Sequence, residues 1–403
     1  MTVLTVSEAN TISSRSGAWG AVFAMTLCVS ALIASEFMPV SLLTPLASDL
    51  HLTEGQAGQA ISVSGIFAVV MSLLVSRATR GIDRRTVLLA FTLLMIASGT
   101  IVAFAPNFAV LMAGRALLGI CIGGFWSMST ATVMRLVSKE SVPRALAVLN
   151  GGNALATTVA APLGSFLGAY VGWRGAFFCV VPLAAVTFAW QLVSMPSMPP
   201  QIRAGAENVF TVLRRPQVPY GMLAIMFLFM GQFALFTYLR PFLETVTRVN
   251  VSTLSLNLLM LGLAGLVGTY LIGAMLRTRL YSVLIAIPLS MAAIAVALIA
   301  FGRWPVGTAL LLGGWGLVGT PAPVGWGTWL SKTLPRDAEA GGGLMVAVIQ
   351  LAITLGATLG GFLFDLNGFR STFALSASML CASALLAFLA WRGRLPRIRA
   401  KGE

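Results

Sequence analysis

The chain has 403 residues, of which 58% are hydrophobic and 9% are charged, and its mean hydropathy is +0.91. A chain with so few polar side chains cannot cover a soluble domain of this size, so the composition predicts an integral membrane protein. The formal net charge of +14 would favour nucleic-acid binding only if the basic residues shared one solvated face, whereas here they separate apolar runs. We therefore expect no nucleic-acid partner.

Apolar runs of about 20 residues, the length that crosses a bilayer core, recur along the whole chain. The tenth run is interrupted by Pro321 and Pro323, and no cleavable signal peptide is evident before the first. The predicted fold class is an all-α integral membrane protein with twelve transmembrane helices. The predicted spans are 18–39, 58–76, 86–105, 109–131, 145–168, 174–195, 217–239, 253–276, 281–301, 306–330, 340–363 and 371–391.

The basic residues are distributed unequally between the two sides of the predicted membrane. When both termini are placed inside, the inner loops and tails hold 20 Lys and Arg residues and the outer loops hold 5. Cytoplasmic loops of membrane proteins carry such an excess, so we predict that both termini are cytoplasmic. Topology then accounts for the basic net charge without an acidic ligand.

An internal repeat relates the two halves of the chain. Residues 161–178 and 357–374 share eight identities in eighteen at a constant offset of 196 positions, which matches Gly172 and Arg174 to Gly368 and Arg370. Such a repeat predicts two pseudo-symmetric six-helix halves. The linker between them includes "NVFTVLRR", which fits either a short helix at the membrane surface or a plain tether. The predicted organisation is a cytoplasmic tail 1–17, an N-terminal half 18–195, a cytoplasmic linker 196–216, a C-terminal half 217–391 and a cytoplasmic tail 392–403.

Residues for enzymatic or metal chemistry are scarce. The chain has one histidine, His51, and its four cysteines fall within predicted spans without the CxxC spacing of metal sites. The spans also lack a Ser/His pair and a paired-carboxylate site. We therefore predict that the protein is not an enzyme and needs no cofactor or metal.

Two charged residues lie well inside the predicted spans, Glu36 in the first and Arg115 in the fourth. Charges at this depth are costly and usually functional. Burial favours a neutral carboxyl and a nearby cation favours the ionised form, so we interpret Glu36 as the proton carrier and Arg115 as the residue that biases its charge. The alternative is a structural ion pair that holds two helices together.

Aromatic and amide side chains in several spans are candidates for solute binding. Helical periodicity places Gly119, Trp126 and Thr130 on the same side as Arg115. Similar spacing relates Gln232 to Phe236, Trp315 to Trp326 and Trp329, and Gln350 to Thr354 and Thr358. Aromatic faces with amides suit a flat, uncharged, hydrogen-bonding solute, although each residue also has a plain role in packing or interhelical hydrogen bonds. The predicted binding residues are Trp126, Gln232, Phe236, Trp326, Gln350 and Thr354.

Several of these motifs carry a family resemblance. Two halves of six spans, "LMAGRALLG" around Arg115 and "GWRGAFF" at the start of the sixth span resemble the major facilitator superfamily, in its drug and metabolite proton-antiporter branch. "EFMPVSLLTPLASDL", "LGICIGGFWSMS", "GQFALFTYLRP", "PVGWGTWLSKTL" and "VAVIQLAITLGATLGG" more closely resemble the bacterial purine ribonucleoside efflux pumps. The resemblance implies a multi-pass protein of the bacterial cytoplasmic (inner) membrane.

Two family motifs are altered in this chain. The superfamily loop after the second span usually reads Gly, two residues, then Ala-Asp-Arg-x-Gly-Arg, whereas "TRGIDRRTV" keeps only Asp83 and Arg84 of its central part. The Gly-Pro signature of the fifth span is replaced by Ala161 and Pro162, followed by Gly164. The resemblance makes Asp83, Arg84, Pro162 and Gly164 the candidate gating residues.

The expected function is proton-coupled export, by antiport, of small neutral metabolites. The resemblance implies purine ribonucleosides such as inosine or guanosine, moved by alternating access as the two halves rock around a midplane site. The alternatives are a broad-specificity drug exporter of the same superfamily and a non-transporting membrane sensor of the same solute. The expected partners are the solute, protons and the lipid bilayer, and we expect the protein to work as a monomer.

Overall fold

The structure, a computed structural model, describes residues 6–138, 140–200, 213, 215, 217–334 and 338–393. Regular secondary structure within these ranges is helical, without a β-strand. The chain divides into two compact units, unit 1 comprising Met1–Ala204 with Asn250–Leu259 and unit 2 comprising Gly205–Val249 with Met260–Glu403. Most of the predicted linker helix, and the C-terminal tail after residue 393, lie outside the described residues.

The first six helices belong to unit 1. Helix α1 packs along α5 and α2 packs along α4, while α3 contacts both α4 and α6. Side-chain caps define two of the starts: Thr53 begins α2 with a capping box, and Asn107 accepts a hydrogen bond from the N–H of Val110 at the start of α4. The helices are α1 (Val6–Asp49), α2 (Glu54–Ala78), α3 (Arg84–Ala103), α4 (Phe108–Leu136), α5 (Val142–Phe178) and α6 (Val180–Ser194).

The second half of the chain has helices of more uneven length. Helix α7 packs against both α11 and α12, and it continues through a short helical turn, Leu239–Phe242, into a π-helical turn, Leu243–Thr247. The helices are α7 (Val218–Thr237), α8 (Val251–Phe301), α9 (Pro305–Gly319), α10 (Ala322–Thr333), α11 (Ala338–Asn367) and α12 (Phe369–Arg392).

Nine helical segments of the described chain are long and apolar enough to cross a membrane. Two of them, Arg144–Ser194 and Val251–Phe301, have 51 residues each, more than twice the length of about 20 that one crossing needs. Each contains a residue with non-helical backbone angles, Gly172 (φ 72°, ψ 168°) and Arg279 (φ −129°, ψ 41°), between two predicted spans. Multiple membrane-spanning helices are therefore confirmed, while the count of twelve stays a prediction.

Prolines act differently in α1 and in the predicted tenth span. We expected the first span to end at residue 39, but α1 continues through Pro39 and Pro45 to Asp49. Proline has no N–H, so the carbonyl four residues before it loses its helical hydrogen bond. Membrane helices tolerate proline when another group donates to that carbonyl. The predicted span 306–330 is instead divided into α9 and α10, since Pro321 and Pro323 stand at the start of the second helix.

Glycines have the same structural roles in both halves of the chain, at close helix contacts and at positive-φ positions. A Cβ added to Gly119 would lie 2.2 Å from the carbonyl oxygen of Ser64, and one added to Gly316 would lie 1.9 Å from that of Leu261. These glycines therefore let α4 approach α2 and α9 approach α8. Gly172 and Gly368, matched by the sequence repeat, have φ values of 72° and 74°, which favour glycine.

Candidate functional site

Arg115 is the best-connected buried cation of unit 1. Its side chain is 1% exposed and makes hydrogen bonds to groups on two other helices. Nε donates to the carbonyl of Ala60 (2.7 Å), Nη1 to that of Ser35 (2.7 Å), and Nη2 to the carbonyl of Glu36 (3.2 Å) and the hydroxyl of Ser64 (3.1 Å). A guanidinium from α4 thus joins α1 to α2, and its partners offset part of the cost of burying the charge.

Pro39 explains why one of these acceptors is available. In a regular helix the carbonyl of Ser35 accepts from the N–H four residues later, but that residue is Pro39, which has no N–H. Nη1 of Arg115 supplies the missing hydrogen bond. Helical periodicity does not indicate this role of Arg115, although a proline four residues after Ser35 is a signal for it.

Glu36 is 3% exposed and lies beside Arg115, so the two charges predicted inside the membrane are brought together. Arg115 donates a hydrogen bond to the backbone carbonyl of Glu36, and the two side chains also interact electrostatically. The arrangement brings together a buried carboxyl group and a fixed cation. Whether this carboxyl carries protons stays a prediction.

The predicted polar side of α4 is not uniform in its surroundings. Arg115 and Gly119 are buried within unit 1, whereas Trp126 is half-buried and Thr130 is exposed. Trp126 packs edge-on against Phe125, with ring centroids 6.3 Å apart. Trp126 therefore keeps part of its ring accessible, as a residue that binds a solute must, whereas Arg115 is enclosed by protein.

In unit 2, Gln232 and Phe236 lie one turn apart on α7, and both are half-buried. Phe236 packs edge-on against Phe233, with centroids 6.0 Å apart. The amide nitrogen of Gln232 lies near Gly319, at the end of α9. Its Oε1 atom is buried and has no hydrogen-bond partner among the described residues. A buried acceptor without a partner is costly, and a bound solute with an N–H group would remove that cost.

The tryptophans of α9 and α10 are more deeply buried than Trp126. Trp315, Trp326 and Trp329 are each at most 2% exposed, and the rings of Trp326 and Trp329 meet edge-on with centroids 5.5 Å apart. The ring of Trp329 occupies the space that a Cβ on Gly221 would need, so it packs against the start of α7. Trp329 therefore contributes to helix packing. Trp326, a predicted binding residue, is almost fully covered by protein.

The predicted stripe of α11 consists of Gln350 (6% exposed), Thr354 (5% exposed) and the half-buried Thr358. The hydroxyl of Thr354 donates to the carbonyl of Gln350 at 2.9 Å, so this part of the stripe is satisfied within its own helix. The oxygen of that hydroxyl can still accept a hydrogen bond, so the binding role of Thr354 stays a prediction.

Asp83, a predicted gating residue, starts α3 and also binds the segment after α6. Its carboxylate accepts hydrogen bonds from the N–H of Arg85 (2.8 Å), the N–H of Met198 (2.9 Å) and the hydroxyl of Ser197. The N–H of Arg84 donates to the carbonyl of Met198 at 3.1 Å. Burial raises the pKa of Asp83, but these hydrogen bonds outweigh it and hold the pKa below its usual range.

The other predicted gating residues lie on α5 against α1. Pro162 and Gly164 are both buried, and a Cβ on Gly164 would lie 2.5 Å from the hydroxyl oxygen of Ser41. Gly164 therefore permits the close packing of α5 on the proline-containing part of α1.

A second buried polar contact of unit 1 was not predicted from the sequence. The hydroxyl of Thr92 on α3 donates to Oε1 of Gln191 on α6 at 2.7 Å.

The sequence profile of the Major Facilitator Superfamily matches residues 23–340, which is more than half of the chain. The chain belongs to the major facilitator superfamily. It is a transporter and not an enzyme, as predicted, and it is a multi-pass membrane protein.

Relatives within the superfamily differ in name. The chain is 56% identical to the "Transcription regulatory protein OpdE" of Pseudomonas aeruginosa, over 98% of this chain and 100% of that protein. It is 42% identical to the "Purine ribonucleoside efflux pump NepI" of Salmonella typhimurium, over 91% of this chain and 93% of that one. The predicted resemblance to purine ribonucleoside efflux pumps is thereby confirmed as a similarity of sequence.

Solved superfamily structures have the same fold at low sequence identity. A bacterial homologue of the human lysosomal transporter Spinster superposes with a TM-score of 0.71 at 14% identity, over 92% of this chain and 96% of that chain. The human organic anion transporter MFSD10 superposes with a TM-score of 0.65 at 17% identity, over 93% and 99%. At these identities the comparison supports the fold alone.

Proposed function

We propose that this transporter exports small neutral metabolites, most specifically purine ribonucleosides, in exchange for protons and by alternating access. The observation that carries the proposal is the buried Glu36 carboxyl beside the fixed guanidinium of Arg115. The 42% identity to a purine ribonucleoside efflux pump supports the choice of solute. The amide of Gln232, with a buried oxygen that has no partner within the described residues, supports an uncharged hydrogen-bonding ligand.

In this mechanism Glu36 carries one proton inward for each solute molecule that leaves. Protonation removes the cost of an ionised carboxylate at mid-bilayer, about 2–3 kcal/mol, so the empty carrier returns with its proton bound. Loss of that proton on the cytoplasmic side favours the solute-loaded outward step. Exchange of one proton for a neutral solute moves one charge, so the membrane potential contributes about 2.3 kcal/mol per 100 mV.

The test is transport of labelled inosine, guanosine and uridine by the purified protein in proteoliposomes, with and without a proton gradient. We expect Glu36→Gln, which keeps the shape of the protonated side chain, to lose gradient-driven transport and retain nucleoside binding. Glu244→Gln is the matched control, because Glu244 is a carboxylate in an ion pair with Arg240. Normal pH-dependent transport by Glu36→Gln would exclude this residue as the proton carrier.

Solute binding by unit 2 has its own test. We expect Gln232→Leu and Gln350→Leu each to lose about 1–3 kcal/mol of nucleoside binding free energy, because leucine cannot form the hydrogen bonds that the amide makes to the solute. Thr328→Val is a suitable control, because Thr328 is half-buried and its hydroxyl donates to the carbonyl of Val324 on its own helix. Unchanged nucleoside affinity in both glutamine variants would assign these amides to helix packing.

A solute sensor is the second candidate, and the observation in its favour is the 56% identity to a protein named as a transcription regulatory protein. A sensor would bind nucleosides as a purified protein and yet move none across proteoliposomes under any gradient. Gradient-dependent transport would remove this candidate.

We also propose that both termini lie in the cytoplasm of a bacterial inner membrane, on the basis of the 20 to 5 distribution of basic residues. An impermeant thiol reagent should label Ser13→Cys only after the cells are permeabilised. Labelling in intact cells would reverse the orientation. The background needs Cys179→Ser and Cys381→Ser, since both of these native cysteines are exposed.

A further inference from the structure

Unit 2 contains a polar cavity of about 540 Å³ at one end of its helices. Its lining comes from the π-helical turn after α7, the connection between α8 and α9, and the start of α12. Three arginines contribute to it, Arg248, Arg303 and Arg370, and all three are exposed. Thr245 and Thr247 line the same cavity.

The arginines of this cavity have no carboxylate partner among the residues that the structure describes. The corresponding place in unit 1 is neutralised. There Arg174, the repeat counterpart of Arg370, forms an ion pair with Asp49 and donates a second hydrogen bond to the carbonyl of Ala105 at 3.0 Å. Nε1 of Trp173 also donates to the Asp49 carboxylate, at 3.2 Å.

The repeat explains why unit 2 lacks that acidic partner. Pro45 and Pro241 are 196 positions apart, and the same offset places Thr245 at the position of Asp49. If the extra residue of the π-helical turn is counted before this point, the counterpart is Val246. In either register a side chain without charge replaces the carboxylate.

The backbone segments that carry the arginines have defined local structure around the cavity. Arg248 has a left-handed backbone conformation (φ 58°, ψ 44°) that ends the π-helical turn. The hydroxyl of Thr247 donates to the carbonyl of Gly302 at 2.8 Å, which ties this turn to the segment that carries Arg303. Arg370 lies in the first turn of α12, whose N-cap residue, Gly368, makes no side-chain cap. The unpaired N–H groups of that turn add to the positive potential.

We propose that this cavity binds a phosphate group. Guanidinium groups bind phosphate oxygens through paired, charge-assisted hydrogen bonds, and three of them around one cavity match a di-anionic or mono-anionic phosphate. The group belongs either to a soluble phosphate compound or to the headgroup of an anionic lipid, since arginines at the ends of membrane helices lie at headgroup depth. This site is separate from the residues of the proposed transport mechanism.

Two probes distinguish a soluble phosphate compound from a lipid headgroup as the ligand. Inorganic phosphate is titrated by calorimetry into the full-length protein in detergent without lipid, at constant ionic strength. Phosphatidylglycerol is tested by native mass spectrometry of the protein released from vesicles of phosphatidylglycerol and phosphatidylcholine in equal amounts. Phosphate binding in detergent indicates a soluble ligand, and selective retention of phosphatidylglycerol alone indicates a lipid ligand.

Variants connect either result to the cavity. We expect Arg370→Gln to weaken binding of the active probe about tenfold or more, because it removes a charge-assisted contact. Thr245→Asp should weaken it similarly while keeping all three arginines, since it restores the acidic group found in unit 1. Arg277→Gln removes an exposed arginine that does not line the cavity and should bind like the wild type. If neither probe binds, or if all four proteins bind equally, the proposal is wrong.

Discussion

The two units share close-packed glycines at matching positions but differ in the chemistry of the side chains near them. Gly119 of unit 1 and Gly316 of unit 2 are 197 positions apart, and each brings its helix within contact of a neighbour's backbone carbonyl. Arg115 and Leu312 are separated by the same 197 positions, yet one is a cation with four hydrogen bonds and the other a fully buried apolar side chain.

The counterpart of Glu36 in unit 2 is likewise an uncharged residue. Gln232 lies 196 positions after it, so an ionisable side chain in unit 1 corresponds to a neutral amide in unit 2. A charge at mid-bilayer costs about 2.5–3.5 kcal/mol and needs dedicated partners, whereas an amide is less costly. The comparison teaches that matched glycine contacts can be kept in both units while the ionisable groups at positions 36 and 115 are replaced by Gln232 and Leu312.

Arg115→Leu should have the largest effect, because it makes unit 1 resemble unit 2 at this position. We expect the free energy of unfolding to fall by about 3 kcal/mol or more, since the carbonyl of Ser35 and the charge of Glu36 lose their partner. SDS-induced unfolding of the purified protein in detergent measures this change. Leu312→Met is the matched control in unit 2 and should cost less than about 1.5 kcal/mol.

Pro39→Ala tests whether Arg115 stabilises the protein by donating the hydrogen bond that Pro39 cannot donate. Alanine supplies the N–H that proline lacks, so the carbonyl of Ser35 gains a partner within α1. The double variant with Arg115→Leu should therefore be about 1 kcal/mol more stable than the sum of the two single changes predicts. Simple additivity would show that Arg115 does not replace the missing helical hydrogen bond.

The matched glycine contacts predict similar losses of stability in both units. Gly119→Ala and Gly316→Ala should each lower the free energy of unfolding by about 1–3 kcal/mol, because the added Cβ would overlap a backbone carbonyl. Gly327→Ala is the control, since its Cβ would meet no atom within 4 Å. If only one of the first two variants is destabilised, the two glycines are not equivalent.

The smallest predicted effect concerns Asp83, where unit 1 has a capped loop and unit 2 has only a kink at Arg279. Because the folded pKa of Asp83 is lowered, its contribution to stability is present above its unfolded pKa of about 4 and is lost as the pH falls through the folded pKa. Asp83→Asn should cost less than about 1 kcal/mol at pH 7, since the site is half exposed. A pH series of thermal unfolding should show this difference shrinking below about pH 4.

The sequence was sufficient for the all-helical membrane class, though not for the count of twelve helices, and for the two buried charges. Apolar runs and the expense of an intramembrane charge identify Glu36 and Arg115 without a structure, because both signals are local. The acceptors of Arg115 were not predictable from periodicity, which places a residue on a side of a helix but does not identify the atom that it binds. The carbonyl of Ala60 has no side-chain signature, and that of Ser35 is signalled only by Pro39, four residues later.

Other residues escaped prediction for the same physical reason. Asp83 binds Ser197 and Met198, more than a hundred positions away, and this pairing depends on the tertiary fold. The division of the predicted tenth span into α9 and α10 was signalled by Pro321, while α1 continues through Pro39, where a guanidinium from another helix binds the carbonyl of Ser35. Proline alone therefore did not decide whether a helix ends.

The hydrogen bonds of Arg115 also bear on the order in which the protein is made. A span that enters the membrane with an unpaired arginine near its centre is disfavoured, but the acceptors on α1 and α2 are synthesised before α4 leaves the ribosome. The donor thus meets partners that are already in the bilayer. Moving α4 ahead of α1 and α2 by circular permutation would remove this advantage, whereas α9, with Leu312 at the corresponding place, has no such dependence during biosynthesis.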